Sequence, residues 1–482
     1  MTTAGTPAVA GRRRSGPGGS SSRSAPTARR LVALMAALAL GLSAILVRLV
    51  QLQVHDASAY RALAWGQRVR TIELPASRGS IFDRDGQELA LSLPARAIYA
   101  RPPLVSDPAG EARTVASILK LDPAGVRAAL KNTGPFVYLA RGVEPAAAAA
   151  LEAKHLPGIG SLPETKRYYP GGVLAPQVLG FVGVDGSGLA GLEQQYQKVL
   201  AGRPGHAVVE ADPSGVLIPQ GENVDVPSVP GSDLVLTLDR QIQFRAQQVL
   251  QRAVKSNHAR GGTVIVLDPR SGDILAMADY PWFDPNDLTD ASWEAIRNRA
   301  VTDAYEPGSV NKIVTAAAAV QESRLKLDQR LTVPGYYWLY TKRFTDVHPH
   351  PAEPMTLGDI LAFSSNVGTI KVAALLGPKL LYQYLQRFGL TRPTGLGFPG
   401  ESGGILPPPS EWSGTSMGTI PIGQGIAVTP LQMASVYGTI ANDGIWVQPR
   451  LLRGAVGADG RFRPAAAGAT RVGPRRIGTP GR

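Results

Sequence analysis

Two short motifs carry the side chains that could do chemistry. Ser309 and Lys312 form an S-x-x-K pattern, and Ser364 and Asn366 form an S-x-N pattern further along the chain. A serine hydroxyl is a weak nucleophile at neutral pH and needs a neighbouring base to remove its proton. Residues three apart on a helix share a face, so Lys312 is placed to contact Ser309. A lysine in a desolvated pocket is partly neutral and can accept that proton.

The local sequence predicts the elements that position these side chains. A Pro-Gly pair precedes Ser309, and residues 311–320 are apolar and alanine-rich, which predicts a helix that begins near the serine. Backbone N–H groups at the start of a helix stabilise developing negative charge. Residues 356–366 predict a second helix that runs into a polar turn. From that turn Ser364 could relay a proton, and the Asn366 amide could bond a substrate peptide group.

Each motif alone has an ordinary structural alternative. A capping serine with a solvated lysine one turn later gives the first pattern, and an N-cap or Asx turn gives the second. The occurrence of both in one chain favours catalysis. Penicillin-recognising serine acyltransferases combine these two motifs with a third, K-T-G. The sequence contains no Lys-Thr-Gly or Lys-Ser-Gly after Asn366.

The motifs and their flanking segments resemble the class B penicillin-binding proteins, the monofunctional peptidoglycan D,D-transpeptidases of the bacterial cell envelope. The resemblance covers roughly residues 31–452, and the Ser-Ser-Asn form of the second motif is similar to that of the division (septal) branch. Besides the two motifs, it rests on residues 78–90, 167–172, 180–193, 236–243 and 268–277.

This resemblance implies a role for each motif residue. Ser309 would be the acylated nucleophile and Lys312 its base, with Ser364 and Asn366 completing the site. The implied substrates are peptidoglycan stem peptides ending in D-Ala-D-Ala on a lipid-linked donor, and β-lactams that mimic them; no cofactor is implied. Expected partners are a polytopic glycosyltransferase and other divisome proteins. Further substrate-binding residues would form a glycine turn: Gly423, Gln424 and Gly425.

The composition limits the alternatives. Of the net charge of +13, most lies at the two ends of the chain, because residues 1–30 carry six arginines and no acid, and residues 453–482 carry seven arginines and one aspartate. This distribution argues against a nucleic-acid-binding face. The absence of cysteine excludes disulfides, thiol catalysis and cysteine-ligated metals.

An uncharged apolar segment follows the basic N-terminal tail. Residues 31–47 carry no charge, and with their extension they predict a single-pass transmembrane signal anchor over 31–53. The arginines in residues 1–30, predicted to be disordered, would keep that end in the cytoplasm and place the remaining chain outside the cytoplasmic membrane. A cleaved signal peptide and a buried core helix are the alternatives.

The predicted fold is a multidomain α+β protein. A β-rich, elongated pedestal of the dimerisation type would span residues 54–230. An incomplete transpeptidase domain, an α/β sheet with an all-helical lobe, would span 231–452 without its last strands. Residues 453–482 are rich in glycine, alanine and arginine, and are predicted to be disordered or to lie outside the reading frame.

Two further sets of residues receive structural interpretations. A salt-bridged turn at the interface between the domains is expected for Arg78, Gly79, Asp83 and Asp85. The pair His348 and His350 lacks an H-E-x-x-H context and acidic partners at ligand spacing, which predicts a loop and no metal site.

Three functions compete. The leading hypothesis is a peptidoglycan D,D-transpeptidase whose 482-residue form is impaired, because the strand bearing K-T-G supplies oxyanion donors and a carboxylate anchor, and one such donor is worth about 10²–10³ in rate. The alternative is a non-catalytic, membrane-anchored scaffold that binds a glycan polymerase. A β-lactamase or antibiotic sensor needs a deacylating base, and no E-x-x-x-N stretch stands in the expected place.

Overall fold

The structure is a computed structural model that describes residues 25–55, 69–210, 224–465 and 475–476. The chain divides into two compact units, one of residues 1–72 with 207–224 and the other of residues 73–206 with 225–482. Both serine motifs lie in the second unit.

The described chain contains both helices and strands throughout the second unit. The α-helices are α1 (Ala25–Val50), α2 (Pro108–Leu119), α3 (Pro123–Leu130), α4 (Pro145–Glu152), α5 (Pro176–Leu179), α6 (Gly191–Gln195), α7 (Gln197–Leu200), α8 (Arg240–Ser256), α9 (Trp293–Ile296), α10 (Arg299–Thr302), α11 (Lys312–Gln321), α12 (Leu357–Ala362), α13 (Asn366–Arg387), α14 (Ser416–Thr419) and α15 (Pro430–Ala441). The strands are β1 (Val69–Leu74), β2 (Ile81–Phe82), β3 (Glu88–Ala100), β4 (Val137–Val143), β5 (Ile159–Tyr168), β6 (Gly205–Glu210), β7 (Val224–Val226), β8 (Asp233–Leu236), β9 (Gly262–Leu267), β10 (Ile274–Tyr280), β11 (Leu331–Val333), β12 (Tyr336–Leu339), β13 (Lys342–Thr345), β14 (Glu353–Met355), β15 (Ile445–Trp446), β16 (Leu452–Val456), β17 (Phe462–Pro464) and β18 (Arg475–Arg476).

The N-terminal helix α1 is apolar and exposed. Its segment Arg29–Val54 has a mean hydropathy of 2.3 and is long enough to cross a membrane. Residues 25–30, predicted as part of a disordered tail, are helical instead. The reason is local: Pro26 lies in the first turn, where proline is tolerated, and the alanines and arginines that follow are good helix formers. The rest of the predicted tail, residues 1–24, lies outside the described residues.

A seven-stranded sheet is the largest sheet in the described part of the second unit. Its strand order is β17-β16-β8-β2-β3-β4, with β5 also paired to β3. β2 and β8 pair in parallel, and β3 pairs antiparallel with both β4 and β5. Strands before and after the predicted domain boundary at residue 230 therefore share one sheet.

The hairpin of β16 and β17 corrects the prediction for the C-terminal tail. Disorder was expected from residue 453, but β16 pairs with β8 and with β17. The cause is that β8, whose Leu234 and Leu236 are fully buried, needs a partner along its edge. Asp459-Gly460 supplies the turn, with Gly460 at φ +71°, and an Asp-Gly pair is a strong hairpin signal. Residues 466–474 and 477–482 of the predicted tail lie outside the described residues.

The serine motifs lie in a helical lobe, as predicted. Helices α11, α12, α13 and α15 enclose one apolar core that includes Val314, Ile360, Val367, Leu381 and Val436. Beside it, β9 and β10 form an antiparallel pair. Apolar side chains of α8 pack against this pair. The predicted mixture of α/β structure and a helical lobe is thus confirmed.

Candidate active site

A tight turn presents Ser309. Residues Gly308–Asn311 form a 3-10 helix that continues directly into α11, and the Lys312 amide donates to the Ser309 carbonyl. Side chains three apart in a 3-10 helix lie on the same side, so Ser309 and Lys312 share one face. Gly308 has φ +62°, a conformation that favours glycine. Ser309 is exposed to solvent, whereas Asn311 is buried and donates from Nδ2 to the Ile420 carbonyl over 3.0 Å.

Lys312 joins the two motifs. Its side chain is 2% exposed, and Nζ donates to the Ser364 carbonyl at 2.5 Å, to Ser364 Oγ at 3.1 Å and to Asn366 Oδ1 at 2.8 Å. Within the described chain Ser309 Oγ has no hydrogen-bond partner. Catalytic hydrogen bonds often tighten only when substrate is bound. The structure thus brings Lys312, Ser364 and Asn366 into direct contact and leaves Ser309 free at the surface.

Burial changes the basicity of Lys312. Desolvation lowers its pKa from 10.5 to about 8, and the negative charge of Asp346 acts in the opposite direction. The ammonium form donates all three N–H groups to the second motif. Once a proton is lost, the amine carries a lone pair that can accept the proton of a serine hydroxyl. Because burial lowers the pKa, Lys312 loses its proton at a lower pH than a solvent-exposed lysine does.

The S-x-N turn lies between two helices. Ser364 follows α12 with φ +53°, and Ser365 caps α13 by accepting from the Gly368 amide at 2.8 Å. Asn366 is the first residue of α13; its Nδ2 donates to the Thr345 carbonyl at 3.0 Å, while its Oδ1 accepts from Lys312. One N–H of the Asn366 amide is thus left for a substrate.

Asp346 holds this turn in place and was not identified from the sequence. Its Oδ2 accepts from Ser365 Oγ at 2.5 Å, and its Oδ1 accepts from the Val367 amide at 2.9 Å. Burial opposes ionisation of this carboxyl, but the hydrogen bonds from Ser365, Val367 and His350 outweigh it and lower the pKa of Asp346. Nothing in the sequence distinguishes Asp346 from other loop aspartates, because its partners lie 19 and 21 residues away.

The glycine turn packs against the nucleophile turn. The Gly308 amide donates to the Gly423 carbonyl at 3.0 Å, and the Gly425 amide donates to Glu306 Oε1 at 2.8 Å. A Cβ on Gly423 would lie 2.1 Å from the Gly308 carbonyl oxygen. Gln424 is exposed between them. The structure therefore places Gly423, Gln424 and Gly425 beside Ser309.

The ion pair of Arg78 differs from the predicted one. Arg78 Nε bonds Glu193 Oε2 at 2.6 Å, and Arg167 Nε bonds the other Glu193 oxygen at 2.7 Å. Glu193 is fully buried between the two arginines. The prediction of a salt-bridged turn formed with the neighbouring aspartates was wrong in this respect, because Glu193 comes from α6, far along the chain.

The neighbouring aspartates have other roles. Asp83 Oδ1 accepts from the amides of Asp85 and Gln87, and its Oδ2 accepts from the Arg240 amide at the start of α8, over 3.4 Å. Gly79 is required by close approach, since a Cβ there would lie 2.1 Å from the Ser232 carbonyl oxygen. These residues thus fasten the first pedestal strands to the segment that enters the α8 region.

The histidine pair also differs from the prediction in one respect. His350 has two acidic neighbours, Asp346 at 3.0 Å from Nε2 and Glu353 at 3.2 Å from Nδ1. The hydrogen bond that His350 donates to Asp346 is the largest of the effects that raise the pKa of His350. Across the residues that the structure describes, no group of three or more metal-ligating side chains comes together.

Comparisons with known proteins match two long segments of the chain. Residues 73–236 match the penicillin-binding protein dimerisation domain, and residues 262–476 match the penicillin binding protein transpeptidase domain. Penicillin-binding protein PbpB of Mycobacterium tuberculosis is 40% identical over 430 residues, which cover 85% of this chain and 63% of that protein. Peptidoglycan D,D-transpeptidase FtsI of Escherichia coli is 35% identical over 86% of this chain and 71% of its own.

Solved structures of similar fold point to the same family. A peptidoglycan synthetase from Bifidobacterium adolescentis has a TM-score of 0.68 at 30% identity, covering 86% of this chain and 79% of its own. Penicillin binding protein 3 from Mycobacterium tuberculosis, complexed with aztreonam, has a TM-score of 0.65 at 33% identity, covering 85% and 72%. The chain belongs to the class B penicillin-binding proteins. The matched segment spans less than two thirds of the Mycobacterium tuberculosis PbpB.

Proposed function

We propose that this protein is a serine D,D-transpeptidase that cross-links peptidoglycan stem peptides during septal wall synthesis. The observation that carries the proposal is the environment of Lys312, a buried amine of lowered pKa that bonds both polar groups of the S-x-N motif. A purely structural lysine would be solvated or paired with a carboxylate. The relatives named D,D-transpeptidases, FtsI of Escherichia coli among them, support the septal assignment.

The reaction follows from the placement of the side chains. Neutral Lys312 accepts the proton of Ser309 as Oγ attacks the carbonyl carbon of the donor's D-Ala-D-Ala bond. The C–N bond then breaks, and the proton passes from Lys312 through Ser364 to the departing D-Ala amine, which leaves an ester on Ser309. An amine of a neighbouring stem attacks this ester, forms the new amide and returns the proton to Ser309. Asn366 bonds a peptide group of the donor through its free N–H.

β-Lactams would acylate the same serine. They carry a strained amide in the place of the donor's bond, and ring opening leaves the leaving group attached to the acyl-enzyme. Support comes from Mycobacterium tuberculosis penicillin binding protein 3, for which complexes with aztreonam and ampicillin have been solved. No cofactor takes part in this mechanism.

The same proposal gives the protein a place in the cell. Helix α1 would anchor it in the bacterial cytoplasmic membrane, with the arginine-rich residues 1–30 inside and the catalytic lobe outside. The pedestal, residues 54–230, would carry the lobe away from the membrane and contact a polytopic glycosyltransferase and other divisome proteins. We propose these partners because stem-peptide cross-linking must act on freshly polymerised glycan.

A polypeptide limited to these 482 residues would be a slow enzyme. It contains no Lys-Thr-Gly or Lys-Ser-Gly after Asn366. The motif's lysine and hydroxyl bind the donor's terminal carboxylate in the resembling family, and its strand contributes to the oxyanion hole. The second candidate function, a scaffold that retains only the pedestal's contacts, would not need these groups. The preserved contacts of Lys312 favour the transpeptidase.

Labelling with fluorescent penicillin tests the proposal. Membranes that contain the protein expressed from its native locus should show one labelled band, which is lost in Ser309→Ala and Lys312→Gln. Ser402→Ala, a serine outside both motifs, is the matched control and should label normally. Equal labelling of Ser309→Ala and the control would contradict the assignment of the nucleophile.

A further inference from the structure

A hairpin next to the S-x-N motif presents aromatic side chains to solvent. β12 and β13 pair antiparallel, with Tyr336 opposite Thr345 and Trp338 opposite Arg343. Tyr336 is 49% and Trp338 is 56% exposed. Because side chains alternate across a strand, these four residues share the outward face of the hairpin. We call them the outer row.

The inward face of the hairpin is fixed to the active site. Phe344 is buried in a small apolar cluster with Ile370 of α13 and Ile422, which precedes the glycine turn. Tyr337 and Leu339 pack against the same cluster. The hairpin is therefore a rigid extension of the elements that hold Ser309 and Asn366, and the exposed aromatics of the outer row are not needed to fill a core.

The outer row begins at a catalytic motif. The Thr345 carbonyl accepts from Asn366 Nδ2 at 3.0 Å, and the next residue, Asp346, holds the Ser365 hydroxyl. A strand rises about 3.3 Å per residue, so Arg343 lies about 7 Å along the hairpin from Thr345. A substrate bonded by Asn366 and running along the hairpin would come within reach of Arg343.

The charge on the outer row has no counter-ion in the described part of the chain. Arg343 is exposed, its Cζ lies 4.5 Å from the centre of the Tyr336 ring, and no described carboxylate forms an ion pair with it. A guanidinium that stacks on an aromatic ring keeps its N–H edge available for a carboxylate, which it binds in a two-pronged, planar arrangement.

We propose that the outer row is a subsite for the donor stem peptide, in which Arg343 binds a free carboxylate carried by the stem a few residues before the bond that Ser309 attacks. Tyr336 and Trp338 cover the adjoining aliphatic part of the stem. An extended peptide has nearly the same rise per residue as a strand, so a group two residues from the one bound at Asn366 reaches Arg343. The inference rests on the proposed transpeptidase function. It adds that the site selects a donor stem that carries a free carboxylate.

Protection of Ser309 from penicillin tests the subsite. The probes are L-Ala-γ-D-Glu-L-Lys-D-Ala-D-Ala and the same peptide with the free glutamate carboxylate amidated. For each peptide we would measure the concentration that halves the rate of penicillin labelling. The measurement uses the full-length protein expressed from its native locus. It is made with the wild type, Arg343→Gln and Lys342→Gln. Lys342 is the matched control, because it is exposed and adjacent but faces the other side of the hairpin, 5.1 Å from the Phe344 ring.

The expected result is a coupling between one peptide group and one side chain. In the wild type and in Lys342→Gln, amidation should raise the half-protecting concentration about tenfold, at the lower end of what a hydrogen bond to a charged group contributes. In Arg343→Gln the two peptides should protect equally. If amidation has no effect in the wild type, or if its effect persists in Arg343→Gln, the proposed subsite is wrong. Penicillin labelling would still support Ser309 as the nucleophile in either case. Failure of penicillin to label the wild type overturns both.

Discussion

At the scale of single residues, the proposed chemistry depends on one amine. Lys312 is buried, its three donors point to Ser364 and Asn366, and its pKa is lowered to about 8. Burial favours the neutral form, and Asp346 partly restores the charged form. The protonation state of Lys312 is thus set by a balance between desolvation and one nearby carboxylate.

The first prediction concerns pH. If neutral Lys312 accepts the Ser309 proton, the rate of penicillin acylation should rise with pH through a midpoint near 8 and then level off. In Asp346→Asn the charge that raises the Lys312 pKa is removed, so the midpoint of the profile should move to lower pH. Glu353→Gln is the control, because Glu353 contacts His350 rather than the lysine, and its midpoint should stay in place. A midpoint that moves upward in Asp346→Asn would refute this account of the base.

The placement of Ser309 and Lys312 on one face could be predicted from the sequence because both lie within one helical turn. The role of Asp346 could not, since it depends on how β13 meets the start of α13, and that contact joins residues 19 and 21 apart. Glu193 was missed for the same reason: its partners Arg78 and Arg167 are distant in sequence. Short-range patterns identify reacting groups, whereas the groups that hold them come from tertiary contacts.

At the scale of elements, two turns must fit together. The turn before Ser309 packs on the glycine turn, and the Gly308 amide bonds the Gly423 carbonyl. Both Gly423 and Gly425 have positive φ, at 78° and 74°. Only Gly423 lies so close that a Cβ would meet the Gly308 backbone. The position of Ser309 therefore depends on the absence of a side chain at residue 423.

The second prediction compares these two glycines. Gly423→Ala should push Gly308 away and lower the acylation rate about 10²-fold, since a displacement of about 1 Å can cost that much. Gly425→Ala carries the same backbone strain, but its Cβ would lie 3.5 Å from the nearest atom, Thr419 Oγ1. It should therefore keep most of the rate. Penicillin acylation measured by stopped flow decides between them, and equal losses in both variants would show that strain rather than steric displacement is responsible.

The third prediction concerns the pedestal. Glu193→Gln leaves Arg78 and Arg167 buried without a negative charge, and breaking such a pair costs about 3–5 kcal/mol. The thermal unfolding midpoint should fall by about 5–10 °C. Glu152→Gln removes the half-exposed pair with Arg96, and a pair of that kind contributes about 1 kcal/mol or less. Similar midpoints for the two variants would contradict a structural role for Glu193.

At the scale of the whole molecule, the fold class and the helical lobe could be predicted from the sequence, but the main sheet could not. The strands β2 and β3 precede the predicted boundary at residue 230, and β8, β16 and β17 follow it, yet all belong to one sheet. The hairpin of β16 and β17 was missed because its short strands lie in a segment rich in arginine, alanine and glycine. The Asp459-Gly460 pair was the one feature of this segment that indicated a hairpin in the sequence.

The 482 residues contain the S-x-x-K and S-x-N motifs and no K-T-G after Asn366. We therefore expect a purified polypeptide of this length to be acylated by penicillin about 10²–10³ times more slowly than Mycobacterium tuberculosis PbpB, which is the loss expected for one oxyanion donor. Equal rates would contradict the expected contribution of the K-T-G strand to acylation.

The site of the adduct tests the central claim most directly. Protein expressed from its native locus is incubated to completion with penicillin, weighed intact and digested with trypsin, which releases residues 300–312, where Ser309 is the one serine. The account predicts one adduct per chain, carried on that peptide, and none in Ser309→Ala. An adduct on any other peptide, or an unmodified protein after complete incubation, would contradict the assignment of Ser309 as the nucleophile.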